Sequence, residues 1–239
     1  MNNNTVKAVL FDLDNTLFDH RHASLNAIGA IREDYTVFAA KPLQELQREA
    51  NRLLEEIFEG VLAGTLTVED ARVERFRRLV SWCDGKPSPD DAAEMAARYR
   101  EEYQKARRPV PGAVSLLRHL RSEVVVGVVT DNFTAEQRDE IACCGLEDYI
   151  DFLVTFEEVG STKRETEIFE AALRKAGCRA DEAVMVGDNW SVDVVGARAA
   201  GIRAVWLNRD GLPNLDPDLA AEISSFDPPE PVLRILLNP

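Results

Sequence analysis

The chain is poor in cysteine, with four in 239 residues. They are Cys83, Cys143, Cys144 and Cys178, and the sequence contains no CxxC pair. The adjacent Cys143 and Cys144 match neither the usual spacing of a zinc site nor the framework of a small disulfide-stabilised domain. We therefore expect reduced and mostly buried thiols, as in a cytosolic protein.

Long apolar runs and an excess of basic residues are also missing. The longest apolar stretches, such as residues 124–129, are far shorter than the roughly 20 residues that cross a bilayer, and the first residues lack the layout of a signal peptide. Lys and Arg number 28 against 42 Asp and Glu, which gives a formal charge of −14 and disfavours binding to nucleic acid. We expect a cytoplasmic protein, with neither a membrane nor a nucleic acid among its partners.

What the sequence does contain is a series of short apolar runs rich in β-branched residues. Hydrophobic residues make up 45% of the chain and charged residues 29%, which is typical of globular proteins and not of disordered ones. Apolar runs without polar alternation are typical of strands buried on both faces of a parallel sheet. Helical patterns lie between the last four runs, and this alternation predicts an open α/β sheet. The five runs are residues 6–11, 124–129, 152–154, 183–186 and 204–207.

A long stretch of helical composition separates the first two runs. Residues 19–108 show little strand character, and clusters of Pro, Gly and Asp at 84–90 and 108–112 divide and end the stretch. We therefore predict an α/β domain built from residues 1–18 and 109–239, with a helical insert at 19–108. The segment 208–231, rich in Pro and Asp, is expected to wrap the surface before a last helix at 231–237.

Groups suited to phosphate or metal chemistry follow four of the five runs, at the sheet edge where open α/β proteins place their ligands. The i, i+2 spacing of Asp12 and Asp14 lets both carboxylates face one site, and two crowded anions need a shared cation or proton. Each segment taken alone also fits an ordinary turn, helix cap or solvated surface. The groups, in chain order, are Asp12 and Asp14, Thr130, Lys163, and Asp188 with Asp193.

In this order, on successive strand ends, the set resembles the motifs of the haloacid dehalogenase (HAD) superfamily. The insert resembles the helical cap of that superfamily, and residues 157–163 look most like its phosphatase branch, which includes nucleotidases. The resemblance covers nearly the whole chain and implies a Rossmann-like parallel sheet core with an inserted helical-bundle cap domain. The matching motifs are Asp12 to Thr16, then Thr130, then Lys163, and finally Gly187 and Asp188 with Asp193.

The resemblance implies a catalytic role for each matching residue. Asp12 is the implied nucleophile, which attacks phosphorus to form an aspartyl-phosphate. Asp14 is the implied general acid for the leaving group and then the general base for the attacking water. Thr130, Asp131 and Lys163 are the implied phosphate-binding residues. Asp131 stands where the family often has Asn, so its expected contact with phosphate is through the backbone.

The resemblance also implies a Mg²⁺ cofactor. The implied ligands are the Asp12 carboxylate, the Asp14 backbone carbonyl and Asp188. The implied role of Asp193 is to help fix the metal or Lys163. Carboxylate and carbonyl oxygens are the ligands that Mg²⁺ prefers. Arg164 replaces the proline that usually follows the motif-three lysine, and this departure removes no catalytic group.

We therefore expect a phosphoric monoester hydrolase, a Mg²⁺-dependent phosphatase of a small phosphorylated metabolite such as a nucleoside or sugar monophosphate. Two alternatives share the fold: a haloacid dehalogenase, which needs no metal, and a phosphomutase, which releases no net phosphate. A third belongs to another class, a non-catalytic regulatory or scaffold protein. We expect the protein to be a monomer or a homodimer.

Several basic residues of the insert have ordinary structural interpretations. His20 and His22, just after motif one, are expected to be hinge or packing residues. The four arginines between residues 72 and 78 are expected to form a solvated or salt-bridged helix face. Trp190, beside motif four, is expected to pack against the core or to line the rim of the site.

Overall fold

A computed structural model describes residues 5–214 and 216–238, and it confirms the predicted α/β class. Six parallel strands form one sheet in the order β3-β2-β1-β4-β5-β6, an order typical of Rossmann folds. The strands are β1 (Ala8–Phe11), β2 (Val125–Thr130), β3 (Phe152–Thr155), β4 (Ala183–Gly187), β5 (Arg203–Leu207) and β6 (Ala220–Ile223).

The first strand lies at the centre of the sheet. Phe11 of β1 pairs with Val128 of β2 on one side and with Val186 of β4 on the other. All four residues of β1 are buried, as expected for a strand covered on both faces. The carboxyl ends of β1, β2 and β4 therefore lie side by side, and the segments that follow them share one edge of the sheet.

The α/β unit also contains six α-helices among the described residues. They are α5 (Ala113–Leu120), α6 (Thr134–Cys143), α7 (Phe156–Val159), α8 (Thr166–Ala176), α9 (Val195–Ala199) and α10 (Pro229–Leu237). A π-helical turn, Trp190–Val194, precedes α9.

The segment that follows β5 differs from the prediction. The sequence predicts a segment at 208–231 that wraps the surface, but Ala220–Ile223 form the edge strand β6, which pairs in parallel with β5. Ala and Glu have low strand propensity, so the local sequence does not indicate a strand, and the exposed edge of β5 supplies the pairing. The last helix begins at Pro229, two residues earlier than expected.

Residues His20–Arg107 form a separate compact unit made of helices. It contains α1 (His20–Asp34), α2 (Leu43–Leu62), α3 (Val68–Trp82) and α4 (Pro89–Lys105), which enclose an apolar core of their own. The breaker cluster in the sequence provides the start of α4: Ser88 caps the helix and Asp91 completes a capping box. The other unit comprises the segment that ends at Asp19 and the segment that begins at Arg108.

The two segments of the α/β unit that flank the helical insert lie next to each other. The Asp19 N–H donates to the Arg108 carbonyl at 3.0 Å, and the Val110 N–H donates to the Leu17 carbonyl at 2.8 Å. The buried Asp19 carboxylate accepts hydrogen bonds from the side chains of Arg108 and Arg209. Both hydrogen bonding and charge therefore fix this junction.

The prediction of a solvated or salt-bridged face holds for three of the four arginines of α3 and is wrong for the fourth. Arg72, Arg77 and Arg78 pair with glutamates. Arg75, by contrast, is 5% exposed, and its guanidinium lies 4.2 Å from the centroid of the Tyr99 ring. It stacks inside the helical unit because a guanidinium is flat and weakly hydrated.

His20 is a packing residue of the helical unit, as expected. Its Nδ1 lies 2.7 Å from the hydroxyl of Tyr103. Across residues 5–214 and 216–238, the helices are too short or too polar for any of them to span a bilayer.

Candidate active site

The segment after β1 forms a tight turn that presents two carboxylates. The Asp12 N–H still donates to the Val186 carbonyl at 2.9 Å, so Asp12 continues the sheet and its side chain is buried. The chain then turns sharply, because the Leu13 carbonyl accepts from the backbone N–H groups of the three residues at 16–18. Asn15 takes a left-handed conformation, with φ of 63°, which Asn tolerates better than most residues. Asp14, in the bend, is half-buried.

Lys163 brings a buried ammonium group to these acids. Its Nζ lies 2.5 Å from Asp12 Oδ1 and 2.7 Å from Asp193 Oδ1. Burial alone would lower the pKa of Lys163, but the nearby carboxylates of Asp12, Asp193 and Asp131 raise it well above its usual range. The lysine is therefore a fixed positive charge between motifs one and four.

Two contacts hold the Lys163 backbone in place. Asp131 Oδ1 accepts a hydrogen bond from the Lys163 N–H at 2.7 Å. On the other side, Gly196 of α9 lies against the Lys163 carbonyl, and a Cβ at position 196 would clash with that carbonyl oxygen. Burial raises the pKa of Asp131, while the charge of Lys163 opposes this effect. The aspartate that departs from the family pattern thus anchors the lysine loop with its side chain.

The segment after β4 places Asp188 and Asp193 differently. The Asp188 N–H donates to Thr16 Oγ1 at 3.1 Å, and the Asp188 carbonyl accepts from Trp206 Nε1 at 2.9 Å. Asp193 is fully buried; its Oδ1 accepts from Lys163 and its Oδ2 from the Asn189 N–H at 3.0 Å. Asp188 is held by its backbone, and Asp193 by its carboxylate.

The carboxylates form a cluster that fits a divalent cation. Ligand atoms of Asp12, Asp188 and Asp193 all lie within 4.8 Å of one another. Burial raises the pKa of Asp188 to about 8, and the charges of Asp12 and Asp193 add to this effect while Lys163 opposes it. Crowded, partly buried carboxylates with raised affinity for protons are also good sites for a hard cation, because both relieve the same repulsion.

The other residues discussed in the sequence analysis are Thr130, Arg164 and Trp190. Thr130 is the last residue of β2 and is buried, one strand away from the end of β1. Arg164, next to Lys163, is exposed. Trp190 packs edge-on against Trp206 at 5.1 Å between ring centroids, which is the packing role expected for it.

Sequence reasoning missed Gly196 and the structural roles of Thr16 and Gly187, which belong to the quoted motifs. Thr16 was read as part of motif one, but its bond to the Asp188 N–H joins motif one to motif four. Gly187 and Gly196 are small because the Asp193 carboxylate and the Lys163 carbonyl, respectively, occupy the space of a Cβ. The contacts of Thr16 and Gly196 join residues far apart in the chain, so no local pattern predicts them.

A family model described as haloacid dehalogenase-like hydrolase matches residues 6–201, most of the chain. The chain belongs to this family. The resemblance inferred from the motifs is thereby confirmed.

Relatives of this HAD-like hydrolase include named phosphatases. Glyceraldehyde 3-phosphate phosphatase of Methanothermobacter thermautotrophicus is 32% identical over 86% of this chain and 87% of that protein. Pyrimidine 5'-nucleotidase YjjG of Escherichia coli is 33% identical over 84% of this chain and 85% of that protein. With the family match, these relatives confirm the predicted enzyme class, a phosphoric monoester hydrolase.

A solved structure agrees with the fold of this HAD-like hydrolase. The HAD-hydrolase YfnB of Bacillus subtilis, crystallised with bound magnesium, is 21% identical, with a TM-score of 0.74 over 97% of this chain and all of that one. At this identity the likeness shows the shared fold.

Proposed function

We propose that this HAD-like hydrolase is a Mg²⁺-dependent phosphatase that cleaves small phosphate monoesters through an aspartyl-phosphate on Asp12. The observation that carries the proposal is the position of the Lys163 ammonium between Asp12 and Asp193, with Asp188 beside them. A phosphate dianion cannot approach several carboxylates unless cations compensate for the repulsion, and this cluster provides places for two cations.

The chain's own residues account for the chemistry of both half-reactions. An Asp12 oxygen attacks phosphorus, and the bond between phosphorus and the leaving oxygen breaks. Asp14, two residues along the same turn, gives its proton to that leaving oxygen. Asp14 then takes a proton from the water that attacks the aspartyl-phosphate, which releases inorganic phosphate and restores the Asp12 carboxylate and the protonated Asp14.

Three residues bind the group that is transferred. The ammonium of Lys163 and the hydroxyl of Thr130 neutralise and orient phosphoryl oxygens, and the backbone of Asp131 contributes an N–H. Because the side chain of Asp131 is engaged with the Lys163 N–H, its charge serves the loop. Positioning and charge neutralisation of this kind supply most of the catalysis in phosphoryl transfer.

The metal would be held by Asp12, Asp188 and the backbone carbonyl of Asp14. Asp193 is the weaker candidate for a ligand, because each of its oxygens already accepts a hydrogen bond from the protein. When bound, Mg²⁺ would neutralise the charge that builds up between the nucleophile and the phosphoryl oxygens.

The named relatives suggest which substrates to test. Their names specify a triose phosphate, a pyrimidine nucleotide and, for a 32% identical protein of Halopiger xanaduensis, ribulose 1,5-bisphosphate. We therefore propose a small sugar phosphate or nucleoside monophosphate as the substrate of this enzyme.

The direct test is phosphate release from a panel of sugar phosphates, nucleoside monophosphates and phosphoglycolate. Each substrate is assayed with Mg²⁺, with EDTA and with Asp12→Asn, and Asp218→Asn, an exposed aspartate, serves as the matched control. We expect release that requires both Mg²⁺ and Asp12 and is unchanged in Asp218→Asn. Absence of release from every substrate would refute the proposal.

Two further assays separate the alternatives. Interconversion of sugar phosphate isomers without net phosphate would indicate a phosphomutase, and halide release from 2-haloacids would indicate a dehalogenase. A folded protein inactive in all three assays would indicate a scaffold.

A further inference from the structure

A buried glutamine lies beside the proposed acid–base residue, outside the motifs of the family. Gln137 is on α6 and is fully buried. Its Nε2 lies 3.4 Å from Asp14 Oδ2 and 2.5 Å from Glu140 Oε2, and Glu140 is buried as well. Its Oε1 is buried and has no hydrogen-bond partner among the residues that the structure describes.

The start of α6 is anchored, which fixes where Gln137 points. The Thr134 N–H donates to Glu157 Oε2 at 2.9 Å, and the Thr134 hydroxyl lies 2.8 Å from that of Thr155 at the end of β3. Gln137 follows one turn later, and its N–H donates to the Phe133 carbonyl at 3.0 Å. The helix is therefore fixed to the same sheet edge that carries the site.

The surroundings dictate the orientation of the Gln137 amide. Its NH₂ group has two hydrogens, and the two carboxylates of Glu140 and Asp14 lie on that side. The reversed amide would direct its oxygen at two acceptors and would satisfy neither. Buried polar atoms without hydrogen-bond partners are rare enough to require an explanation. Here, the amide orientation that directs a donor at Asp14 is the one that leaves Oε1 without a partner.

We propose that Gln137 is a positioning residue for proton transfer by Asp14, held in place by Glu140. It donates to Asp14 Oδ2 and so fixes the carboxyl group in the orientation needed to protonate the leaving oxygen and then to deprotonate water. This inference rests on the proposed phosphatase function and assigns it a residue that the family motifs do not contain.

Positioning of an acid predicts a dependence on the leaving group. An alkoxide must be protonated as it leaves, whereas p-nitrophenolate is stable without a proton at neutral pH. Loss of Gln137 should therefore reduce kcat/KM for an alkyl phosphate and leave kcat/KM for p-nitrophenyl phosphate nearly unchanged. Because Asp14 also activates water, hydrolysis of the aspartyl-phosphate should slow with either substrate.

The experiment compares wild type with Gln137→Met, which keeps the length of the side chain and removes the donor. Arg138→Gln is the control, an exposed position on the same helix. General acid–base catalysis contributes about 10²–10⁴-fold, so for Gln137→Met we expect a loss of about 10- to 100-fold in kcat/KM for glycerol 3-phosphate and of less than about 3-fold for p-nitrophenyl phosphate. A burst of p-nitrophenol equal to the enzyme concentration should precede its steady state.

Each other result overturns the inference. Equal losses with both substrates would show a merely structural role, and no loss with either would show none. If Gln137→Met does not fold, Gln137→Glu, which keeps the shape and replaces the donor by an acceptor, is measured against the same ratio. If wild type and Asp12→Asn are alike in releasing nothing from either ester, the proposed function itself fails and this inference with it; Asp12-dependent release without the leaving-group effect refutes the inference alone.

Discussion

Replacing Lys163 by Met tests the electrostatics of the site most directly. The Lys163 side chain is 5% exposed, and its Nζ pairs with two carboxylates that are themselves buried. Met fills much of the same volume, so the change removes a charge and little packing. Removing one partner of a buried ion pair typically costs about 3–5 kcal/mol, because the charges left behind are uncompensated. We expect a loss of that size in the free energy of unfolding, which is a large part of the total of about 5–15 kcal/mol for a typical domain.

The measurement is urea unfolding in EDTA, with Lys175→Met as the matched control. Lys175 Nζ also pairs with a carboxylate, that of Glu158 at 2.8 Å, but its side chain is 38% exposed. Exposed pairs contribute about 0–1 kcal/mol, so this variant should unfold close to wild type. Adding Asp193→Asn to Lys163→Met should recover part of the loss, because it removes one of the stranded charges.

Equal unfolding midpoints for the two lysine variants would refute this account of the site. A loss below about 1 kcal/mol would mean that the buried acids are compensated by something other than Lys163. Phosphate release should fall strongly in Lys163→Met and stay near wild type in Lys175→Met, since the second lysine lies outside the proposed machinery.

Three further changes test contacts that support the site. Thr16→Val leaves the Asp188 N–H without its acceptor, so we expect a loss of about 1–3 kcal/mol in urea unfolding and a higher Mg²⁺ concentration for half-maximal activity. Gly196→Ala forces α9 away from the Lys163 carbonyl, with an expected cost of about 1–3 kcal/mol and a lower kcat; unaltered unfolding would contradict the packing. For Asp19, the arginine hydrogen bonds and charges outweigh burial and lower the pKa. The stability it provides is present above the pKa of an unfolded Asp and is lost as the pH falls through the lower, folded value. Asp19→Asn should therefore be less stable than wild type at pH 7, and the difference should shrink as the pH falls below the pKa of an unfolded Asp.

Much of the sheet could be predicted because its strands are buried on both faces. Apolar β-branched runs mark such strands directly, and β1, β2 and β4 lie within about one or two residues of the predicted runs. The edge strand β6 could not be predicted in this way, since Ala220 to Ile223 carry no strand signal and the pairing comes from β5. Its existence is a property of the neighbouring strand.

In the candidate site, too, some features could be predicted from the local sequence and others could not. Residues that follow strand ends, such as Asp12 and Lys163, are visible in the sequence because chemistry and position coincide there. The contacts of Thr16 with Asp188 and of Gln137 with Asp14 are visible only when the chain is folded, since the two residues of each pair are more than a hundred positions apart. The prediction that Arg75 lies on a solvated or salt-bridged face was wrong because its ring partner, Tyr99, lies on the next helix.

The central position of β1 has a consequence for how this chain reaches its fold. Ala8 pairs with Val125 on one side and with Ala183 on the other, so the first strand made must wait for both of its neighbours. The contacts within His20–Arg107, by contrast, are contiguous in sequence. Contacts between distant residues form slowly because closing long loops costs entropy, and a folded helical unit would shorten the effective loop between β1 and β2. During synthesis, the helices can therefore be complete while the apolar β1 is still unpaired. The strand that precedes Asp12 thus depends on β4, a segment that is made late.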